Sequence, residues 1–180
     1  GPAPGGPASI YKIEDPDDGN TVASLFLDLG ALFANPNIAG DPSTLHDFTA
    51  TVNGGADTID APAYANVTKA AFGDMDISTD DSTLYVVNLF DRSLYIIPVG
   101  DPFNPTAPTS SSAVTVVDLI GGPNSSLFPS VNTADLRPFA LKYYQDKLYI
   151  GYVANAQTTQ NPANLFGFVL TYDPQSGAFA

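Results

Sequence analysis

The feature that most constrains this chain is a short phrase that occurs twice. Leu84-Tyr85-Val86 and Leu148-Tyr149-Ile150 each follow an Asp-containing turn, and each leads through a further loop to another apolar run. A recurring unit decides architecture before any single residue does, because each copy must bury its faces against its neighbours. Around the first copy Gly73–Ile77 alternates, Ser78–Ser82 turns, Leu84–Asn88 is β-rich, Asp91–Ser93 turns again and Leu94–Val99 makes a third run. Short runs joined by turns of about three to five residues read as an antiparallel meander. Pro105, Pro108 and Ser110–Ser112 form a loop, and Val114–Leu119 supplies a fourth, outer strand. The second copy repeats the order through Phe139–Tyr143, the Gln145-Asp146-Lys147 turn, Leu148–Val153 and Phe166–Tyr172, and ends in Asp173-Pro174-Gln175-Ser176-Gly177.

Four-stranded units that recur with weak similarity predict an all-β fold of β-propeller-type meander blades. In such a blade the Leu-Tyr-aliphatic strand is expected to be buried on both faces, while outer strands tolerate Pro. The spacing between copies exceeds the usual blade length of about 40–50 residues, so the blades carry elaborated loops or are degenerate. Two to three blades fit in the chain, fewer than the roughly four that close a ring, which predicts part of a larger propeller. A β-sandwich built from the same strands is the alternative.

The division expected is a Gly/Pro/Ala linker over 1–9, a hairpin closing a blade over 10–29, a long irregular region over 30–71, a blade over 72–119 and a further blade over 120–180. Within the hairpin, Ile10–Ile13 and Thr21–Leu27 flank the dense turn Asp15-Pro16-Asp17-Asp18-Gly19-Asn20. The 30–71 stretch is interrupted by Pro36, Pro42, Gly54-Gly55 and Pro62. A connection this long is either a functional excursion or carries short strands of its own.

Composition narrows the setting. The 6 Lys+Arg against 19 Asp+Glu leave a net charge of −13. That field repels nucleic acid and anionic membrane surfaces and favours divalent cations, so neither nucleic acid nor membrane insertion is expected among the partners. Zero Cys removes disulfides, thiolate chemistry and Cys-zinc sites together. No apolar run approaches the roughly 18 residues of a membrane-spanning helix. The chain opens on Gly1 without a signal peptide, which reads as a processed or truncated segment.

Two acidic groups are the candidate metal ligands. Asp15, Asp17 and Asp18 with Gly19 place oxygens at alternating positions around a sharp bend, as a short calcium loop does. The distal bidentate Glu of an EF-hand is absent, Phe26 standing there, so plain turn formation is the competing reading. Asp74 and Asp76 share one face of a strand, and two close carboxylates repel unless a cation or a shared proton relieves them. A Ca2+ ion at a blade edge is one resolution; the other is that Asp74 caps a neighbouring blade's backbone while Asp80-Asp81 is a solvated turn. His46, the single His, stands beside Asp47, but no Gly-x-Ser-x-Gly nucleophile elbow accompanies it, and a surface role is expected. Paired carboxylates also raise glycoside hydrolysis, against which stands the absence of Trp, with 9 Tyr as the available platforms. Asn66-Val67-Thr68 and Asn124-Ser125-Ser126 fit the glycosylation sequon.

The run Phe72–Tyr95, with Gly73-Asp74-Met75-Asp76-Ile77, Asp80-Asp81 and Leu84-Tyr85-Val86-Val87-Asn88, resembles a blade from large bacterial cell-surface proteins, in which propeller-like regions stand beside serine-aspartate-repeat-type B domains and other adhesin modules. Arg137–Lys142 with Leu148-Tyr149-Ile150-Gly151 is similar to a following blade of that family, and Ile10–Ile13 before its Asp/Gly turn to a blade's closing hairpin. The resemblance covers about half the chain and implies fold and an extracellular or cell-surface setting, with no catalytic residues to carry over. The function expected is a non-enzymatic structural module, a rigid β platform for adhesion or assembly. Its partners would be the remaining blades or other protein chains. The alternatives are part of a hydrolase- or lactonase-like propeller enzyme with its active site on other blades, and an assembly subunit whose open β-edges pair with other chains.

Overall fold

The computed structural model describes residues 6–14, 22–55, 57–121, 126–128 and 130–180. Its architecture is all-β, built around two four-stranded antiparallel sheets and a two-stranded hairpin. The hairpin pairs β1 (Ser9–Glu14) with β2 (Val22–Asp28). Asp28 then caps a single helical turn, α1 (Leu29–Leu32), by accepting the Ala31 N–H at 3.0 Å. The first sheet follows the chain in order: β5 (Phe72–Ile77), β6 (Thr83–Asn88), β7 (Ser93–Pro98) and β8 (Thr115–Asp118). The second does the same with β9 (Leu136–Tyr144), β10 (Lys147–Asn155), β11 (Leu165–Asp173) and the short β12 (Ala178–Phe179). The apolar runs and Asp turns read from the sequence therefore mark the strands within a few residues. β12 forms where the Asp173 turn ends, its carboxylate accepting the Gln175 and Ser176 N–H groups.

The stretch over 30–71 is not structureless. It holds α1's end, a two-rung hairpin of β3 (Thr51–Val52) and β4 (Asp57–Thr58), and α2 (Ala61–Asn66), capped by Asp60. Local signals mark part of it, with Asp60-Ala61-Pro62 opening α2 and Gly54-Gly55 turning the hairpin, while tertiary bonds tie the rest to the first sheet. Asn88, buried at the end of β6, donates from Nδ2 to the Ile38 carbonyl at 2.8 Å. The Ala71 N–H donates to Ala39 O at 2.8 Å, and the Leu89 N–H to Ala71 O at 3.0 Å. Ile38 and Ala39 are thereby drawn into the core.

The layers stack in the order hairpin, first sheet, second sheet. One core gathers Ile10, Leu27, Leu29 and Ile38 against Val86, Tyr95 and Ile97 of the first sheet. The other packs Tyr85, Val87, Leu89 and Leu94, from that sheet's opposite face, against Leu141, Leu148, Ile150 and Tyr152 of the second. Tyr85 and Tyr143 stack across the junction with ring centroids 5.3 Å apart. Strand β6 thus has apolar neighbours on both sides, as a continuous Leu-Tyr-Val-Val run requires. In β10 only alternate residues, Leu148, Ile150, Tyr152 and Ala154, are buried. The expectation of two covered faces fails for this strand, since no described element lies over its far side.

The first strands of both sheets bulge at equivalent points. The pairing of β5 with β6 shifts between Phe72 and Met75, and that of β9 with β10 shifts between Gly151 and Tyr152, opposite Pro138–Ala140. At the first bulge there is no room for a side chain: a Cβ on Gly73 would lie 2.8 Å from Leu89 Cδ2 and 2.9 Å from the Phe139 carbonyl oxygen of the second sheet. Gly73→Ala is therefore expected to destabilise the fold by about 1–3 kcal/mol through overpacking. Gly167→Ala, where the nearest atom is at an ordinary 3.5 Å, should change it by about 0.5 kcal/mol or less; urea unfolding of the two variants makes the comparison.

Candidate functional site

Strands β5 and β9 are the first strands of their sheets, and each presents an edge whose N–H groups lack a ladder partner. Alternation along β5 puts Asp74 and Asp76 on one face, turned to β9. Asp74 accepts the Met75 N–H on Oδ1 at 2.9 Å and the Leu141 N–H on Oδ2 at 3.0 Å. Asp76 repeats this with the Ile77 N–H at 2.9 Å and the Tyr143 N–H at 2.7 Å. Both cross-sheet bonds span 67 residues, so the two edges run side by side in the same direction. Each carboxylate is a charge-assisted rung between two sheet edges.

The repulsion that two neighbouring carboxylates would feel is met here by these donors and by Lys142, whose Nζ lies 2.8 Å from Asp76 Oδ2. Burial works to raise the Asp76 carboxyl. Lys142 and the Tyr143 and Ile77 N–H groups outweigh it and hold the group below the ordinary carboxylate range. Asp80 is likewise occupied within its turn, accepting from the Ser78 hydroxyl at 2.6 Å and the Ser82 hydroxyl at 2.9 Å.

Of the five residues that the sequence offers to a metal, Asp15, Asp17 and Asp18 lie outside the described residues. Asp74 and Asp76 are brought together on one edge, with their oxygens already taken by N–H donors. Among the described residues no group of three or more His, Asp or Glu side chains is arranged to hold an ion.

His46 pairs with Asp60, not with its chain neighbour Asp47: Nδ1 lies 2.6 Å from Asp60 Oδ2. Asp60 Oδ1 also accepts the Asp47 N–H at 3.0 Å and the Ala63 N–H at 3.1 Å, so one carboxylate caps α2 and fastens the preceding loop to it. The bond from His46 leads the causes that hold the Asp60 carboxyl below its ordinary value. The Ser43 hydroxyl donates to Asp41 at 2.7 Å. On the β6–β7 turn, Asp91 accepts the Tyr95 hydroxyl at 2.6 Å and the Ser93 N–H at 3.0 Å. Burial raises the Asp91 carboxyl and, with it, the Tyr95 phenol.

One feature escapes a reading of the chain in order. Lys69, Arg92 and Arg137, far apart in sequence, line a single cleft where β5 and β9 begin. The only hint in the sequence is that cations are scarce, so any convergence of them is conspicuous once folded. Comparison with protein-family profiles, with curated proteins and with solved structures finds no match to this chain.

The carboxylate rungs make a prediction with a pH signature. Asp76→Asn sets an amide donor against one of the two backbone N–H groups and should cost about 1–3 kcal/mol at neutral pH. Because the folded pKa is depressed, Asp76's contribution is present above the unfolded carboxylate value of about 3.9 and is lost as pH falls through the lower folded value. The gap in unfolding free energy between the parent chain and Asp76→Asn should therefore be full at pH 6 and shrink below about pH 3.9. A gap that stayed constant down to strong acid would show that the carboxylate charge is not what the edge uses.

Proposed function

We propose that this chain is a stretch of β-propeller, its two four-stranded sheets being consecutive blades. In this reading it is a non-catalytic platform for assembly or adhesion in an extracellular or bacterial cell-surface protein. The observation that carries the reading is the unequal covering of two equivalent strands. Tyr85 and Val87 of β6, 4% and 0% exposed, lie under the second sheet. Their counterparts by the repeated phrase, Tyr149 and Gly151 of β10, continue into a face where Val153 is 43%, Leu165 60% and Val169 61% exposed. Register puts Val169 opposite Gly151 and Leu165 opposite Asn155, so these side chains share one side of the sheet.

A blade stack accounts for that inequality, because each blade is covered by the next and the last in a row is left bare. Support also comes from the inner strands, which run in the same direction, bulge at equivalent points and are joined edge to edge. A two-layer sandwich has no reason to leave a second apolar face open. The occupant that fits is a further sheet of the same kind, contributed by the remaining blades of the protein. The setting rests on the acidic, cysteine-free composition and on the resemblance of residues 72–95 and 137–151 to surface-protein blades. A Ca2+ role is assigned, within this proposal, to the Asp15, Asp17 and Asp18 turn rather than to Asp74 and Asp76, which already serve the strand edges.

The absence of Cys makes the open face directly testable. Val153→Cys and Val169→Cys should react readily with a maleimide in the 180-residue chain and about tenfold more slowly in the whole protein, where a neighbouring sheet covers them. Gln157→Cys, on an exposed loop, should label equally in both. Fast labelling of both face positions in the whole protein would overturn the reading. The calcium assignment predicts a calcium-dependent rise in Tm that Asp17→Asn removes and Asp74→Asn does not.

A further inference from the structure

Half of the chain's basic side chains meet in one place. Of the 6 Lys+Arg residues, Lys69, Arg92 and Arg137 line one cleft of about 390 Å³ at the end of the sheets where β5 and β9 begin. Lys69 comes from the turn after α2, Arg92 from the β6–β7 turn and Arg137 from the first residues of β9. Three separate segments therefore have to fold together before the cleft exists.

Backbone carbonyls hold each cation in place. Lys69 Nζ donates to Ala65 O at 3.1 Å, Arg92 Nη1 to Thr133 O at 2.7 Å and Arg137 Nη1 to Leu136 O at 2.7 Å. These bonds orient the side chains without neutralising them. The ion pairs His46–Asp60 and Lys142–Asp76 lie elsewhere, and none is seen at these three cations among the described residues. The acid that bears most on Arg137 is the buried Asp135, whose Oδ1 is taken by the Thr158 N–H at 2.6 Å. Burial and then the neighbouring Arg92 both disfavour the charge on Arg137. Its Nε is buried with no acceptor, a costly state for a charged donor. Arg92 itself is held at φ 60°, a backbone region that residues other than glycine seldom adopt.

A chain with 19 Asp+Glu has carboxylates to spare for three cations, and a solvated surface would scatter or pair them. Concentrated in a concave site, with Asp135 beside Arg137 but no carboxylate in ion-pair contact with any of the three among the described residues, they match the arrangement that guanidinium and ammonium groups take around a multivalent oxyanion. We propose that the cleft lined by Lys69, Arg92 and Arg137 is a binding site for a multivalent oxyanion, a phosphate or polycarboxylate group. Leu89 and Phe90 form its apolar wall.

The test is a titration of the 180-residue chain with inorganic phosphate, with citrate and with acetate at constant ionic strength, followed by 1H–15N chemical shifts. Phosphate or citrate should give saturable shifts at the amides of Lys69, Arg92 and Arg137, with acetate binding about tenfold more weakly. Lys69→Gln and Arg92→Gln should each weaken the binding about fivefold or more. Lys69 contributes only an exposed bond to Ala65 O, so its variant keeps the fold even where Arg92→Gln does not. Shifts no larger than those produced by chloride at the same ionic strength would mean that solvent alone serves these cations and would overturn the proposal. So would binding that survives unchanged in Lys69→Gln.

Discussion

An edge strand carries N–H groups that need acceptors, and β5 and β9 are edge strands that face each other. The carboxylates of Asp74 and Asp76 solve both edges at once, each taking one N–H from its own strand and one from the strand across. A direct ladder between β5 and β9 would have fused the two sheets into one continuous surface. The side-chain rungs set the edges side by side while leaving the sheets free to diverge and pack face to face. The tight contact at Gly73, the Tyr85–Tyr143 stack and the cleft at the strand starts all presuppose the register that these two residues set. Acidic side chains at an edge also discourage pairing with a foreign strand, which makes the same residues useful as protection.

The first sheet is the better supported of the two because it is the middle layer. Its far face is closed by the β1–β2 hairpin and by Ile38 and Ala39 from the long connection. Asn88 is the joint between them. It sits fully buried at the end of an apolar run, with Nδ2 donating to Ile38 O and Oδ1 accepting the Phe90 N–H at 3.0 Å. A polar residue is tolerated there because both ends of its amide are satisfied. The connection that looks irregular in sequence is thus partly a covering layer, which accounts for its length.

What could be read from the sequence was whatever depends on neighbours along the chain. Period-two alternation located Gly73–Ile77, an apolar β-rich run located Leu148–Val153, and Asp turns located their ends, since these signals are set within a few residues. That Asp74 and Asp76 lie on one face followed from the same period. Their use did not, because Leu141 and Tyr143 stand 67 residues away and edge N–H groups have no signature in a sequence. His46 shows the same limit: its partner is Asp60, across a loop, and not Asp47 beside it. The grouping of Lys69, Arg92 and Arg137 is a product of three turns meeting, and nothing local foretells it. Burial of β10 on both faces was expected from its apolar run, but a run records what a strand can bury and not what lies over it.

The two sheets are copies in strand order but not in how they meet a neighbour. Through the repeated phrase, Asp76 of β5 corresponds to Lys142 of β9, because Asp76 stands opposite Tyr85 and Lys142 opposite Tyr149. Asp74 corresponds in the same way to Ala140, at the inner side of the equivalent bulge. The second sheet therefore has no carboxylate with which to cap the edge of a following strand. Lys142 instead reaches back to Asp76 and completes the junction already formed. Whatever lies against the open face has to be held by packing on Val153, Leu165 and Val169 and by the close approach that Gly151 allows next to Ala140. Apolar packing is non-directional, whereas a pair of carboxylate rungs fixes one register. The junction between the two sheets is accordingly the specified one, and any junction beyond it takes its register from the shape of the partner.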